Sequence, residues 1–493
     1  MKYIKKFFGA TFSPEKIIPD ILFALVILIL ISALFPSRLM NEETGAPVKK
    51  GELLEYEVGG RVPIDIYIRQ FDAWQKGQIE LDLDVDQRLA ELENPYDPTE
   101  RKQSGARYNW DYAFFDGKYY SYFGIAPILT VHAPIYAVTG KLPDIPMTCF
   151  ILAIAAIIAT AFAYREVVLR FIKKPNLWLF LLGLAGSVCA SGVYLGVLCS
   201  DMYYVAVLSA QVFSMAFVAL AVRSMREEKL WARMIMLVFA AIALTLTVWS
   251  RPTVALMCVA VFPLFIEFIF KIRKDTLKDG LLTVASFALP LMVGAAAVMW
   301  YNYARFGSPL DFGANYQLTV SDVSLNTIDF KYLFSSVFSY FLCPMWQTEA
   351  KPFIEMQRIT VLPSGSRYFY ADRACGAFAY GLPLGILAYP RLATIENHRG
   401  EKDGWKTAVV CTTAVLALVI AFSDFCLGGV NMRYVYDISV MLTLVSAAIL
   451  INLTEKSDGV SKIITGAVTA ALSLVSIWTN MGVVETIRIV LGA

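Results

Sequence analysis

The chain has 493 residues, 57% of them hydrophobic and 17% charged, and a mean hydropathy of +0.57. That balance belongs to an integral membrane protein and excludes an ordinary soluble domain. With 43 basic and 41 acidic residues the net charge is only +2, so the chain carries no excess suited to nucleic acid.

In chain order, Lys2, Lys5, Lys6 and Lys16 precede an apolar run from 17 to 35. The run spans about 19 residues and lacks an Ala-x-Ala exit, which predicts an uncleaved anchor and not a secretory signal. Further spans are predicted near 146–164, 177–196, 202–221, 232–249, 253–270, 280–300, 375–390, 406–422, 434–452 and 461–478. The fold class expected is therefore an all-α polytopic membrane protein with about eleven transmembrane helices.

Placing the N-terminus in the cytoplasm puts four basic clusters there: Arg165 to Lys174, Arg223 to Arg233, Lys271 to Lys278 and Arg391 to Lys406. Every short loop then satisfies the positive-inside rule. The resulting division is 1–36 (tail and first span), 37–145 (extracytoplasmic loop), 146–300 (spans two to seven), 301–374 (second outer loop) and 375–493 (spans eight to eleven). The localisation expected is the cell membrane, with the site on the extracytoplasmic side.

The first long loop collects Asp65, Asp72, Asp82, Asp84, Asp86, Asp97, Asp111 and Asp116. A transporter usually keeps its loops short and places its charges between helices near the midplane, so this loop points to chemistry at the membrane surface. Two apolar stretches, Tyr122 to Val138 and Tyr332 to Trp346, are too short or too interrupted by proline to span, and they predict interfacial helices. Tyr119, Tyr120, Tyr122, Trp300, Tyr301, Tyr303, Tyr332 and Trp346 suit an aromatic belt at that depth. Asp82, Asp84 and Asp86 have the acid spacing of a calcium loop, but Gln87 stands where the glycine is required. Their alternation with Leu81, Leu83 and Val85 predicts a half-exposed strand instead.

The eight cysteines lack metal-ligand spacing, although Cys199, Cys343, Cys375 and Cys426 fall near the outer face, where a disulfide is open to them. His132 and His398 are the only histidines, too few for a zinc site of the histidine-rich kind, and neither is placed for a Ser/His triad. Glycine-rich phosphate loops are missing. No cofactor is expected, a divalent cation being the alternative left open.

The stretch from Phe115 through Asp116, Gly117, Lys118, Tyr119 and Tyr120 to Pro127 closes the first outer loop. It resembles the loop-closing stretch of polyprenol-dependent GT-C glycosyltransferases. Phe71 to Gln78, Asn94 to Pro98, Ser250 to Thr253, Tyr301 to Pro309 and Arg433-Tyr434 resemble a set recurring in bacterial GT-C-like membrane proteins. The resemblance implies a GT-C-like fold and a dolichyl-phosphate-mannose mannosyltransferase-like enzyme of the cell envelope. Such an enzyme would use a polyprenyl-phosphate sugar donor, a glycan, lipid or protein acceptor, and a carboxylate from the first outer loop. The acidic pair usual in that class just after the first span is absent from this chain.

The chemistry itself asks for a carboxylate to take the proton of a poorly nucleophilic hydroxyl, and for cations to hold the leaving phosphate. Asp72, which follows Tyr67 and Phe71 at helical spacing, is the first candidate for the base. Asp111, between Trp110 and Tyr112, is the second, and Asp65 is held in reserve. Arg251, preceding the helix-starting Pro252, is the leading phosphate ligand, with Arg433, Arg305 and Lys118 expected at equivalent depth. Tyr67, Tyr120 and Tyr434 are the expected sugar or lipid contacts. A lipid-linked glycan transporter, a glycan polymerase and a non-catalytic relative are the alternative readings.

Overall fold

A computed structural model describes residues 11–13, 17–35, 48–49, 65–271, 276–358, 373–401 and 403–491. The lysines at 2, 5, 6 and 16, with Arg273, Lys274 and Lys402, lie outside the described residues.

Among the described residues, nine helices are long and apolar enough to cross a membrane, which makes the chain an all-α, multi-pass membrane protein. After the shorter α1 (Ile17–Ser32) and the loop helix α2 (Ile66–Gln75) come six long helices. They are α3 (Ile145–Phe171), α4 (Leu177–Cys199), α5 (Met202–Ser224), α6 (Leu230–Val248), α7 (Pro252–Phe270) and α8 (Leu277–Phe306). The short α9 (Tyr389–His398) then leads to α10 (Gly404–Gly428), α11 (Met432–Lys456) and α12 (Gly459–Leu491). Helix α11 is the centre of the bundle: its apolar window is 94% buried, against 17% for α8, whose flanks remain open for lipid. Asp144, Asn176, Asp201, Asp403 and Asn431 cap the N-termini of α3, α4, α5, α10 and α11, satisfying amides that hydrocarbon could not.

The span expected at 375–390 is not one α-helix. It runs as 3-10 turns over Ala377–Tyr380 and Leu382–Ala388 before α9. Glycine and proline explain the change. Gly381 has φ +79 against the backbone of Leu472, and a Cβ on Gly385 would meet Leu450 and the Ser446 carbonyl at 2.7 Å. Close approach to α11 thus replaces side-chain packing, and the carbonyl of Pro383 accepts from Ser446 Oγ at 2.9 Å.

The basic turns gather at one end of the bundle. Arg170 reaches Asp403 at 3.6 Å, Lys406 reaches Glu396 at 2.7 Å and Arg399 reaches Asp458 at 2.6 Å. The long loops gather at the other end. There the hairpin Ala113–Phe115/Lys118–Tyr120 turns on Asp116 and Gly117, both at positive φ, as a two-residue hairpin turn requires.

Both interfacial stretches are helical over shorter lengths than expected: 128–139 begins as a π-turn, and 333–342 ends as one. Leu81 to Val85 joins no strand pair among the described residues. It has one ladder-like bond, from Leu81 N to the Tyr119 carbonyl at 2.8 Å, and keeps Leu81 buried while Asp82 and Asp84 are exposed. Of the expected aromatic belt, Trp300, Tyr303 and Trp346 are exposed, whereas Tyr119, Tyr120, Tyr301 and Tyr332 are buried in the protein. All eight cysteines are free thiols.

Candidate functional site

Where the two long loops meet the bundle lies a cavity of about 670 Å³. One wall comes from the first loop. Gly124 crosses directly over the end of α6, where a Cβ would lie 1.9 Å from the Trp249 carbonyl oxygen, and Ala126 N donates to that same oxygen at 3.1 Å. Only a glycine permits this approach. Ser250 is held from the bundle side, its Oγ 2.7 Å from Ser209 Oγ on α5, so the next residue, Arg251, projects from a fixed turn.

The opposite wall joins the two loops to one another. Asp111 N donates to the Leu318 carbonyl at 3.1 Å, and Leu318 N returns a bond to the Tyr112 carbonyl at 3.0 Å. Fully buried Arg101 donates to the Pro95 carbonyl at 2.7 Å and also to the Thr319 carbonyl. Asn94 Nδ2 reaches Asp322 at 2.9 Å. These bonds hold Asp111 at φ +57, a left-handed conformation that aspartate tolerates better than most residues.

Asp111 is 6% exposed and lines the cavity. Burial lifts its carboxyl above the ordinary carboxylate range, and the Thr319 hydroxyl and the Arg433 charge offset part of that rise. Oδ2 accepts from the Tyr203 hydroxyl, whereas Oδ1 is buried with no hydrogen-bond partner among the described residues.

Three of the four expected cations line this cavity: Arg251, Arg305 and Arg433. Their surroundings differ. Arg251 Nε binds Asp437 Oδ2 at 2.6 Å, and Thr253 Oγ1 approaches that oxygen at 3.3 Å. Arg305 donates to the Ser121 carbonyl at 2.6 Å and to Asn302 Oδ1 at 2.7 Å, with its guanidinium 4.2 Å from the Tyr301 ring centre. Arg433 stands over the Tyr203 ring at 4.0 Å and beside that of Tyr434 at 5.1 Å. Among the described residues no carboxylate lies within 4 Å of Arg305 or Arg433, so their charge is available to an anion entering the cavity. Tyr434 lines the same space, together with Tyr122 and Tyr203.

The other expected site residues stand elsewhere. Asp72, the first candidate for the base, is outside the cavity: it lies on the open side of α2, where it pairs with Lys76 at 2.9 Å, and helical spacing alone did not bring it to the bundle. Asp65 is the N-cap of α2 and accepts from Ile68 N at 2.9 Å; burial pushes its carboxyl up to about 7. Lys118 projects from the hairpin to Glu80 at 2.7 Å. The Tyr67 hydroxyl is spent on the Met202 carbonyl at 2.9 Å, and Tyr120 packs on Phe306 with ring centres 5.5 Å apart. Tyr203, Thr319 and Asp424 line the cavity but were not among the expected ligands. Asp424 enters the electrostatics of the Arg251–Asp437 pair. Nothing in the sequence marked Tyr203 or Thr319 as site residues. Among the described residues, no three His, Cys, Asp or Glu side chains gather as metal ligands.

No protein-family model matches the chain, and no curated protein matches it in sequence. Among solved structures it is similar to an oligosaccharyltransferase of Archaeoglobus fulgidus in the apo form, at 12% identity and a TM-score of 0.48. That similarity covers 94% of this chain, and the chain spans 56% of the length of that structure.

Proposed function

We propose that the protein is a membrane glycosyltransferase that moves a sugar from a polyprenyl-phosphate carrier to an acceptor bound in this cavity, on the extracytoplasmic face. The observation that carries the reading is the juxtaposition, in one 670 Å³ space, of a buried carboxylate with three arginines, two of which, Arg305 and Arg433, have no carboxylate within 4 Å among the described residues. Asp111 takes the proton of the acceptor group, the freed electron pair attacks the anomeric carbon, and the bond to the carrier phosphate breaks with its electrons staying on the phosphate oxygen. Arg433, with Arg251 beside it, holds the charge that develops there. Tyr122, Tyr203 and Tyr434 offer aromatic faces to the sugar or to the first isoprene units.

Transport of a glycan through the bundle has less support. The void beside Asp437 and Gln211 measures about 20 Å³, room for a water molecule and not for a sugar. The orientation follows from the basic turns at the far end of the bundle, which the positive-inside rule assigns to the cytoplasm.

Two measurements on the purified protein test the reading. Native mass spectrometry should find a co-purifying polyprenyl phosphate that is lost in an Arg433→Ala variant. In detergent, the protein should release sugar from a synthetic short-chain polyprenyl-phosphate donor when membrane extract supplies the acceptor. A wild type with neither the lipid nor the transfer would refute the proposal.

A further inference from the structure

The acid and the principal free cation of the cavity meet on one side chain. Tyr203, in the first turn of α5, donates its hydroxyl to Asp111 Oδ2, and the face of its ring lies 4.0 Å beneath the Arg433 guanidinium. Phe123 buttresses the ring, the two centroids 5.6 Å apart and the planes at 60°. A carboxylate with one oxygen bound in this way has its rotation fixed, which leaves Oδ1, buried and without a hydrogen-bond partner among the described residues, as the oxygen for an incoming proton.

We propose that Tyr203 is a positioning residue that couples the two halves of the reaction: its hydroxyl sets the orientation of Asp111, and its ring seats Arg433 for the carrier phosphate. The inference rests on the glycosyltransferase reading and adds a division of labour within one side chain. The charged and polar groups facing Asp111 are Tyr203 from α5, Arg433 from α11, Tyr122 from the first loop and Thr319 from the second. Asp201, at the N-cap of α5, acts on Arg433.

Tyr203→Phe and Tyr203→Leu separate the hydroxyl from the ring. Tyr203→Phe keeps the platform, so affinity for a short-chain polyprenyl phosphate should stay within about two-fold of wild type while kcat falls about ten-fold. The acid limb of its pH–rate profile should move to higher pH by about one unit. A hydroxyl that donates to a carboxylate favours the charged form, and without it Asp111 sheds its proton only at higher pH. Tyr203→Leu removes the platform as well and should also weaken lipid phosphate binding by about ten-fold. A merely structural tyrosine would lower thermal stability in both variants and leave the acid limb in place.

The outcomes are separable. Transfer by wild type and none by Asp111→Asn, with an unmoved acid limb in Tyr203→Phe, would overturn the positioning role alone. Equal loss of lipid phosphate affinity in both tyrosine variants would overturn the division between hydroxyl and ring. Full activity in Asp111→Asn would remove the base itself, and with it both this role and the catalytic assignment on which it rests.

Discussion

The open flank of α2 and the loop wall of the cavity each present an aspartate beside aromatic rings and a cation, and they make opposite uses of it. Asp72 finds its partner one helical turn away in Lys76 at 2.9 Å, and Lys76 shares itself with Asp82 at 2.6 Å, all within reach of water. Asp111 takes nothing from its own turn. It accepts from Tyr203 and feels Thr319 and the Arg433 charge, all brought from distant parts of the chain. A local pair in water neutralises a charge cheaply and leaves it unreactive. A carboxylate wrapped by distant elements becomes a stronger base and acquires a fixed direction.

The comparison is best broken at its buried end. Asp111→Asn keeps the side chain's shape and its bond with Tyr203 while losing the capacity to take a proton, so transfer should fall by about 10²- to 10⁴-fold with donor affinity nearly unchanged. Steady-state assays with the synthetic donor check this. A deeper loss in Asp72→Asn than in Asp111→Asn would reverse the roles assigned to the two regions.

The cations divide along the same line between locally paired and free. Arg433 has no carboxylate within 4 Å among the described residues, so Arg433→Ala should cost donor affinity about 2 to 5 kcal/mol and the fold rather little. Arg251 is tied to Asp437, whose side chain is fully buried. Arg251→Ala therefore strands a charge inside the bundle, and about 3 to 5 kcal/mol of stability should go with it. Thermal unfolding in detergent beside lipid-phosphate titration separates the two, and lysine replacement should rescue only in part because the planar fork is lost. Equal melting temperatures for the two alanine variants would show that the Asp437 pair does not anchor the bundle.

Much of the bundle was legible in the sequence because a bilayer demands long apolar runs, and those runs dominate the composition from 146 onward. The expected span at 375–390 was legible as apolar but not as broken, since its 3-10 path depends on how closely Gly381 and Gly385 approach α12 and α11. The cavity was legible in its cations: Arg251, Arg305 and Arg433 each stand at the end of a span, and span ends at one face converge. Which of the candidate aspartates lines the cavity was not legible. It turns on the ladder between Asp111 and Leu318, a pairing across about 200 residues that periodicity does not encode, whereas the aromatic spacing that favoured Asp72 describes only how α2 packs on its neighbours.

Asp65 offers an intermediate case, buried like Asp111 yet spent on a local cap like Asp72. Its carboxyl is pushed up to about 7 by burial, so the folded state holds the proton more tightly than the unfolded chain does. Stability should therefore fall as pH rises from the ordinary carboxylate range through about 7. Asparagine is an equally good N-cap and carries no charge to desolvate. Asp65→Asn should match wild type in stability at about pH 3.5, below the ordinary carboxylate value, and exceed it at pH 8 by an amount on the order of 1 to 3 kcal/mol, read as a higher melting temperature. A variant less stable than wild type at pH 8 would mean that the carboxylate is needed there as a charge.

The smallest effect belongs to Asp72, and its smallness is what the comparison requires. Lys76 keeps a second carboxylate, Asp82, at 2.6 Å, so removing the charge of Asp72 leaves the lysine paired and exposes no buried group. An exposed pair at this helical spacing is worth about 0.3 to 0.5 kcal/mol, and even that should fade at high salt. Asp72→Asn should thus shift stability by less than about 0.5 kcal/mol and leave both kcat and donor affinity within about two-fold of wild type. A pH–rate profile gives the sharper check. Because Asp72 is not among the residues lining the cavity, the acid limb of Asp72→Asn should coincide with that of wild type, and a displaced acid limb would return this carboxylate to the proposed chemistry.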